Sequence, residues 1–222
     1  MGIISVEHTY RLYWLGRYSE RVYTTAGLYA KSFDEMLDLH VDGYADFCRR
    51  LDIPNIYTSK EDFCRRYCFD GADENSIYSN LLRAYDNAVV LREEIGSEPL
   101  AYIQLAVYEM NKAKLSEAPL IELQRVTDNI LAFWGITDDL IESENVRNII
   151  KIGKRVERID LLARLHMSRE DLRREACRLI GRIDRTCLSY HKENLEEIGR
   201  LVEAEEIDYY RLVVAVETLL ED

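Results

Sequence analysis

The residues best suited to chemistry in this chain are glutamates and arginines that recur in one spacing. Residues 16–21 follow the pattern glycine, basic residue, any two residues, glutamate, arginine. Residues 153–158 repeat this pattern. Arginine forks bind carboxylates and phosphates and stay charged when buried. A buried glutamate beside them can act as a general acid or base. The motif therefore indicates either an anion-binding site or an acid–base site.

The spacing also predicts how the two motifs are positioned. On a helix, the glycine and the glutamate of each motif lie four residues apart and share a face. Glycine is a poor helix former, so its recurrence predicts a close approach by another backbone. An acid and a base in an apolar helix are costly unless they are paired. We therefore predict that residues 12–28 and 149–165 form two long helices in contact about a local two-fold axis. The predicted pairs are Glu20 with Arg158 and Glu157 with Arg21.

Other segments add to the candidate site. Residues 199–203 form a weaker third copy of the motif, with Ala204 in place of the arginine. Residues 87–92 place polar side chains on an otherwise apolar helix, and we expect them to line a pocket together with the motif helices. The predicted ligand-binding residues are Arg17, Glu20, Arg21, Asn87, Arg92, Arg155, Glu157 and Arg158. The flanking aromatics Tyr10, Tyr13, Trp14 and Tyr18 are expected to shield them from water.

The elements that must hold these residues are helices. The chain has only three prolines, and two of them sit where a helix can begin. No window alternates like a half-buried strand. We predict an all-α fold, an antiparallel bundle of long helices, in a single domain over residues 1–222. The predicted helices cover residues 6–39, 43–51, 59–69, 75–95, 99–115, 119 to 134 or a little beyond, and 143–167, with two or three more in 168–220.

Composition excludes several classes of function. The net charge of −12 argues against nucleic acid and against anionic membrane surfaces, because both attract a basic face. No apolar run approaches the ~18 residues of a membrane span. Five cysteines, an odd number, fit a reduced compartment, so we expect a cytoplasmic protein. Cys48, Cys64 and Cys68, with His40 nearby, are expected to be core residues rather than metal ligands. We expect no metal and no cofactor.

Three segments resemble the bacterial alpha-E family, an all-helical domain named for its Glu-Arg motif. The stretch YWLGRYSER at residues 13–21 looks like the family signature. Residues 86–98 look like its central segment, and residues 153–158 look like its second G-x-x-x-E-R. The chain departs from the family pattern at Ser19, where a bulky apolar residue is usual, and at Pro99, where an aromatic residue is frequent.

The resemblance implies a pathway and leaves the activity open. Family members are associated with ATP-grasp amide ligases and transglutaminase-like peptidases in peptide-forming or peptide-modifying pathways. The resemblance therefore implies that the protein is an accessory or substrate-binding component whose Glu/Arg cluster holds an anionic ligand such as a peptide. The alternatives are a stand-alone helical enzyme that uses Glu20 or Glu157 as acid or base, and a structural bundle with no ligand. Whether the chain forms a homo-oligomer is left open.

Overall fold

The computed structural model describes residues 4–38 and 43–221. Within those two ranges the chain is helical and contains no strand, so the all-α prediction is confirmed. One isolated antiparallel β-bridge joins Tyr190 and Leu220. His40 and the predicted first-helix end at Leu39 lie outside the described residues.

The helices follow the chain in close succession. Their bounds are α1 Val6–Asp38, α2 Tyr44–Leu51, α3 Lys60–Phe69, α4 Ile77–Val90, α5 Arg92–Ile95, α6 Ser97–Ala113, α7 Pro119–Leu140, α8 Glu144–Arg164, α9 Arg169–Ile183, α10 Lys192–Glu203 and α11 Tyr209–Glu217.

Serine side chains fix several of the helix starts. The hydroxyls of Ser59, Ser76, Ser143 and Ser168 each accept a hydrogen bond from the backbone N–H three residues later. Each bond satisfies an N–H that has no partner inside the helix, which is why serine is favoured at this position. The predicted starts near these serines are therefore confirmed.

Two predicted helices differ from the structure. The helix expected over residues 75–95 is interrupted at Leu91, where φ is −88° and ψ is 14°, and it forms α4 and α5. Two β-branched residues, Val89 and Val90, precede the break, and such residues are weaker helix formers. The helix expected to end at Trp134 or a little beyond continues to Leu140 as α7.

The contacts divide the chain into two compact units. The first comprises Met1–Arg17 and Ser143–Asp222, and the second comprises Tyr18–Glu142. In the first unit, α8 packs on α9 and α11, and α10 packs on both of those helices. The four helices thus close a ring around a core of aliphatic side chains. Its fully buried members include Ile149, Val156, Leu179, Ile198 and Val216.

The second unit contains a helical hairpin and an aromatic core. Helix α7 packs along α6, α6 packs on α4, and α4 packs on α3. The rings of Phe63 and Tyr67 stack with their centroids 5.2 Å apart, and Phe47 meets Phe63 edge-on at 5.2 Å. Cys48 and Cys68 are buried beside these rings, as expected of core thiols. Burial raises the pKa of the Cys48 thiol to about 11.

The single-domain expectation stays a prediction. The boundary between the two units falls inside α1, so this one helix contributes residues to both. In the described part of the chain, no helix combines the length and the apolar character needed to cross a bilayer.

Candidate functional site

The two motif glycines lie where α1 and α8 are closest. A methyl group at Gly16 would sit 2.0 Å from the carbonyl oxygen of Ile150 and 3.0 Å from the backbone nitrogen of Lys154. A methyl group at Gly153 would sit 2.0 Å from the carbonyl oxygen of Tyr13 and 3.1 Å from the backbone nitrogen of Arg17. No side chain larger than hydrogen fits at either position. The predicted close approach of two backbones is therefore confirmed.

The contact is the same in both directions. Each glycine meets the residue three before the facing glycine and the residue one after it. Such reciprocity is what a local two-fold axis produces. It confirms the predicted relation between the motifs for the part of α1 that belongs to the first unit, residues 12–17. The third motif copy does not repeat it, because Gly199 meets only the side chain of Ile180, at 3.4 Å.

An ion pair crosses this contact. Arg17 Nε donates to Glu157 Oε2 at 2.7 Å, and the two side chains are 8% and 0% exposed. The guanidinium of Arg17 also lies 4.8 Å from the ring centre of Trp14. Burial alone would lower the pKa of Arg17, but the Glu157 carboxylate reverses the effect and raises it. Arg17 therefore stays charged inside the core.

Prediction paired Glu157 with Arg21, which lies one turn further along α1 and belongs to the second unit. The structure shows an ion pair of Glu157 with Arg17, which was not predicted. The close approach at Gly153 explains this, because Arg17 follows Gly16 directly and Glu157 follows Gly153 by one helical turn. The two predicted pairs, Glu20 with Arg158 and Glu157 with Arg21, join residues of different units and stay predictions.

The first Glu-Arg dipeptide lies in the second unit. Glu20 is fully buried, as predicted, and its Oε1 accepts a hydrogen bond from the Thr24 hydroxyl at 3.0 Å. The backbone carbonyl of Arg21 accepts a hydrogen bond from the Thr25 hydroxyl at 2.6 Å. These threonines follow their acceptors by one turn, so both bonds are local to α1.

The second motif's arginines converge on a carboxylate that the sequence analysis missed. Arg155 Nη1 lies 2.5 Å from Glu175 Oε2, and Arg158 Nη1 lies 3.8 Å from Glu175 Oε1. From α9 itself, Arg178 Nη1 and Arg174 Nε approach Glu175 Oε1 at 2.9 and 3.6 Å. The Glu175 side chain is only 1% exposed. One buried carboxylate is thus shared by four guanidinium groups.

A signal for Glu175 was present in the sequence. Helix α9 buries Leu172, Ala176, Leu179 and Ile183 on one face, and Glu175 lies on that face with them. A lone acid on the apolar stripe of an arginine-rich helix indicates a buried ion pair. The motif spacing did not lead to it because α9 carries no copy of the motif.

The remaining predicted site residues lie in the second unit. Asn87 is buried near the end of α4, and its carbonyl accepts the N–H of Leu91. Arg92 begins α5 and is exposed, with its Nη2 3.4 Å from the Ser97 hydroxyl. The pocket expected between the motif helices and residues 87–92 would involve both units and stays a prediction.

A separate cleft of about 700 Å³ opens in the first unit, at the start of α1. Val6, Tyr10, Cys187, Leu188 and Leu220 line it. It contains none of the predicted site residues, and its wall is mostly apolar.

Comparison with protein families identifies the domain. A family model, Alpha-E, described as a predicted alpha-helical domain with a conserved ER motif, matches residues 8–203. The chain belongs to the Alpha-E family. Both Glu-Arg dipeptides that carry the motif, at residues 20–21 and 157–158, fall within the matched part of this Alpha-E domain. Comparison with curated proteins found no match, and neither did comparison with solved structures.

Proposed function

We propose that this Alpha-E protein is a cytoplasmic accessory or substrate-binding component of a peptide-forming or peptide-modifying pathway. Its partners would be an ATP-grasp amide ligase, a transglutaminase-like peptidase, or both. Its Glu/Arg cluster would hold an anionic ligand, a carboxylate-bearing peptide end or a phosphorylated intermediate. Family membership supports the helical framework, and the resemblance to pathway-associated relatives supports the choice of partners.

The observation that carries the ligand-binding part is the cluster around Glu175. Four guanidinium groups contact this one carboxylate, and one of them, Arg174, also pairs with Asp171 at 2.6 Å. The chain as a whole has a net charge of −12, which makes such a concentration of arginines unusual. Charge-assisted hydrogen bonds from arginine to carboxylate or phosphate contribute roughly 1.5–3 kcal/mol each. A second anion is therefore the natural complement of this cluster.

The structure divides the predicted ligand residues by their contacts. Arg17 is held by Glu157 inside the helix contact, so we assign this pair to positioning the two motif helices. Arg155 and Arg158 lie at the cluster and are assigned to the ligand. Arg21, Glu20, Asn87 and Arg92 remain proposed ligand residues in the second unit.

A structural role is the second candidate, and one observation favours it. The reciprocal glycine contact and the buried Arg17–Glu157 pair would fix the helices even if nothing bound. The enzymatic alternative receives less support from Glu157, since a fully buried carboxylate held by an arginine is poorly placed to exchange protons with a substrate.

Calorimetry with a glutamyl dipeptide and with inorganic phosphate tests ligand binding. We expect saturable binding that weakens about tenfold or more in Arg155→Gln, because one charge-assisted bond is lost. The matched control is Arg173→Gln, which removes an exposed arginine that pairs with Glu203. Equal affinities in both variants, with the fold intact by circular dichroism, would favour the structural role.

The pathway itself is tested through the gene neighbourhood. We expect a gene for an ATP-grasp ligase or a transglutaminase-like peptidase beside this one, and copurification of its product with this protein. A neighbourhood that contains neither would overturn the assignment of partners.

A further inference from the structure

Two rows of basic side chains face each other on α8 and α9. The row on α8 consists of Lys151, Arg155 and Arg158, and the row on α9 consists of Arg174, Arg178 and Arg182. We call these six residues the basic strip. Four of them were not assigned to any site by the sequence.

Contacts between the helices set the alignment of the rows. Arg182 Nη1 donates to Asn148 Oδ1 on α8 at 2.9 Å, near the start of that helix. Arg155, one to two turns further along α8, meets Glu175, which lies earlier on α9. Because position increases on one helix as it decreases on the other, α8 and α9 run antiparallel. The two rows therefore lie side by side over the same length.

The strip has a regular step. Arg174, Arg178 and Arg182 follow each other at four-residue intervals, so they share one face of α9. At 1.5 Å per residue, each step is about 6 Å and the row spans about 12 Å. The arginines at its centre are accessible, since the side chains of Arg174 and Arg178 are 52% and 49% exposed.

The cations of the strip are crowded. Glu175 is shared by Arg155, Arg158, Arg174 and Arg178, and Asp171 pairs with Arg174 at 2.6 Å. Burial, together with the charges of Arg182 and Arg155, lowers the pKa of Lys151 to about 8. Burial also lowers the pKa of Arg155, with Arg158 and Arg178 acting in the same direction against Glu175. In addition, the buried Nε–H of Arg155 has no hydrogen-bond acceptor among the described residues. The strip therefore combines crowded cations with an unused buried donor.

We propose that the basic strip binds an extended acidic peptide whose carboxylates alternate along the chain. In an extended peptide, side chains on one side recur every second residue, about 6.6 Å apart. This interval matches the ~6 Å step of the α9 row. A five-residue segment with acids at its first, third and fifth positions thus presents three carboxylates to three successive arginines. The inference deepens the proposed function and rests on its anionic-ligand role.

The test compares three peptides with blocked termini by calorimetry at low salt. They are Glu-Ala-Glu-Ala-Glu, the isomer Glu-Glu-Glu-Ala-Ala, and a peptide with a single glutamate. We expect the alternating peptide to bind about tenfold tighter than the isomer of equal charge. Arg182→Gln should remove about tenfold of that affinity, as the loss of one charge-assisted bond predicts.

Three further variants separate a loss of binding from a loss of folding. Arg173→Gln alters an exposed arginine of the same helix that pairs with Glu203, and it should leave the affinity unchanged. Arg182→Lys keeps the charge and should restore part of the lost affinity. Arg178→Gln provides a second site in the row, should the first variant fail to fold.

The outcomes separate this inference from the proposed function. Equal affinity for both isomers, or for inorganic triphosphate or a short RNA of equal charge, would overturn the peptide strip. If the single-glutamate peptide binds through Arg155 and three glutamates add nothing, the strip is wrong and the ligand-binding role stands. If the alternating peptide binds as expected but no ligase or peptidase partner exists, peptide binding by the basic strip is supported and the proposed pathway is rejected.

Discussion

Gly16 and Gly153 leave no room for a methyl group, and this gives the sharpest prediction at the residue scale. We expect Gly16→Ala to lower the free energy of unfolding by about 3 kcal/mol, the upper end of the range for overpacking. The reason is that the obstructing atom is a backbone carbonyl oxygen 2.0 Å away, so the helices must separate. Gly153→Ala should cost about the same. Urea denaturation measures both.

Gly27, on the same helix, supplies the control. It is exposed, and a methyl group there would meet nothing within 4 Å. Gly27→Ala should therefore stabilise the protein by up to about 1 kcal/mol, through helix propensity alone. Similar effects of the substitutions at Gly16 and Gly27 would contradict the close helix contact.

The Arg17–Glu157 pair gives a second prediction at this scale. Arg17→Met should cost about 3–5 kcal/mol of folding free energy, because it removes the arginine from a fully buried carboxylate. The double variant Arg17→Met/Glu157→Leu should cost less than the sum of the two single variants. The exposed pair of Arg173 and Glu203 is the control, and breaking it should cost less than about 1 kcal/mol. Small, additive effects at Arg17 and Glu157 would show that the pair contributes little.

At the scale of elements, the α8–α9 pair makes stability depend on pH through Lys151. Its folded pKa of about 8 lies below the usual value of 10.5, so its charge destabilises the folded state. Above pH 8 the unfolded state binds more protons, and stability rises with pH until both states are neutral near 10.5. Besides burial, the charges of Arg155 on the same helix and Arg182 on α9 lower the pKa of Lys151.

Lys151→Met should therefore melt at a higher temperature than the unaltered protein at pH 7. The difference should shrink as the pH rises from about 8 to 10.5. Thermal melts at several pH values, each compared with the unaltered protein, measure it. A difference that stays constant over this range would mean that Lys151 titrates normally.

The helix starts and the helix contact could be predicted where residues close in sequence determine them. Serine caps marked the starts of α3 and α9, and the repeated glycine marked the closest point of α1 and α8. Prediction failed for features that depend on how one helix packs against another. It placed no break at Leu91, and it did not foresee the pair of Arg17 with Glu157, because register between helices depends on packing that periodicity does not encode. Glu175 escaped for the same reason, since two of its four arginine partners come from another helix.

At the scale of the whole molecule, the two units raise the question of cooperativity. Trp14 belongs to the first unit and Trp134 to the second. If the chain is a single domain, as its sequence suggests, both tryptophans should report one unfolding midpoint. The variants Trp14→Phe and Trp134→Phe each keep one tryptophan, and urea titrations followed by fluorescence compare them. Circular dichroism on each variant corrects for the stability change that the substitution causes.

Midpoints that remain different after this correction would mean that the units unfold separately. In that case the substitutions at Gly16 and at Arg17 should shift only the transition reported by Trp14. Coincident midpoints would instead mean that the whole chain unfolds in one transition, and each substitution above should then shift that transition.

The glycine contact also determines what a genetic suppressor screen can recover. The atom that blocks Gly16→Ala is a main-chain carbonyl oxygen, which every amino acid at position 150 carries. No compensating substitution on the facing helix can remove it, so true revertants to glycine should dominate such a screen. Gly199 is the opposite case, because its neighbour is the side chain of Ile180. A methyl group at Gly199 would lie 3.4 Å from that side chain, an ordinary van der Waals contact, so Gly199→Ala should be tolerated without a compensating substitution.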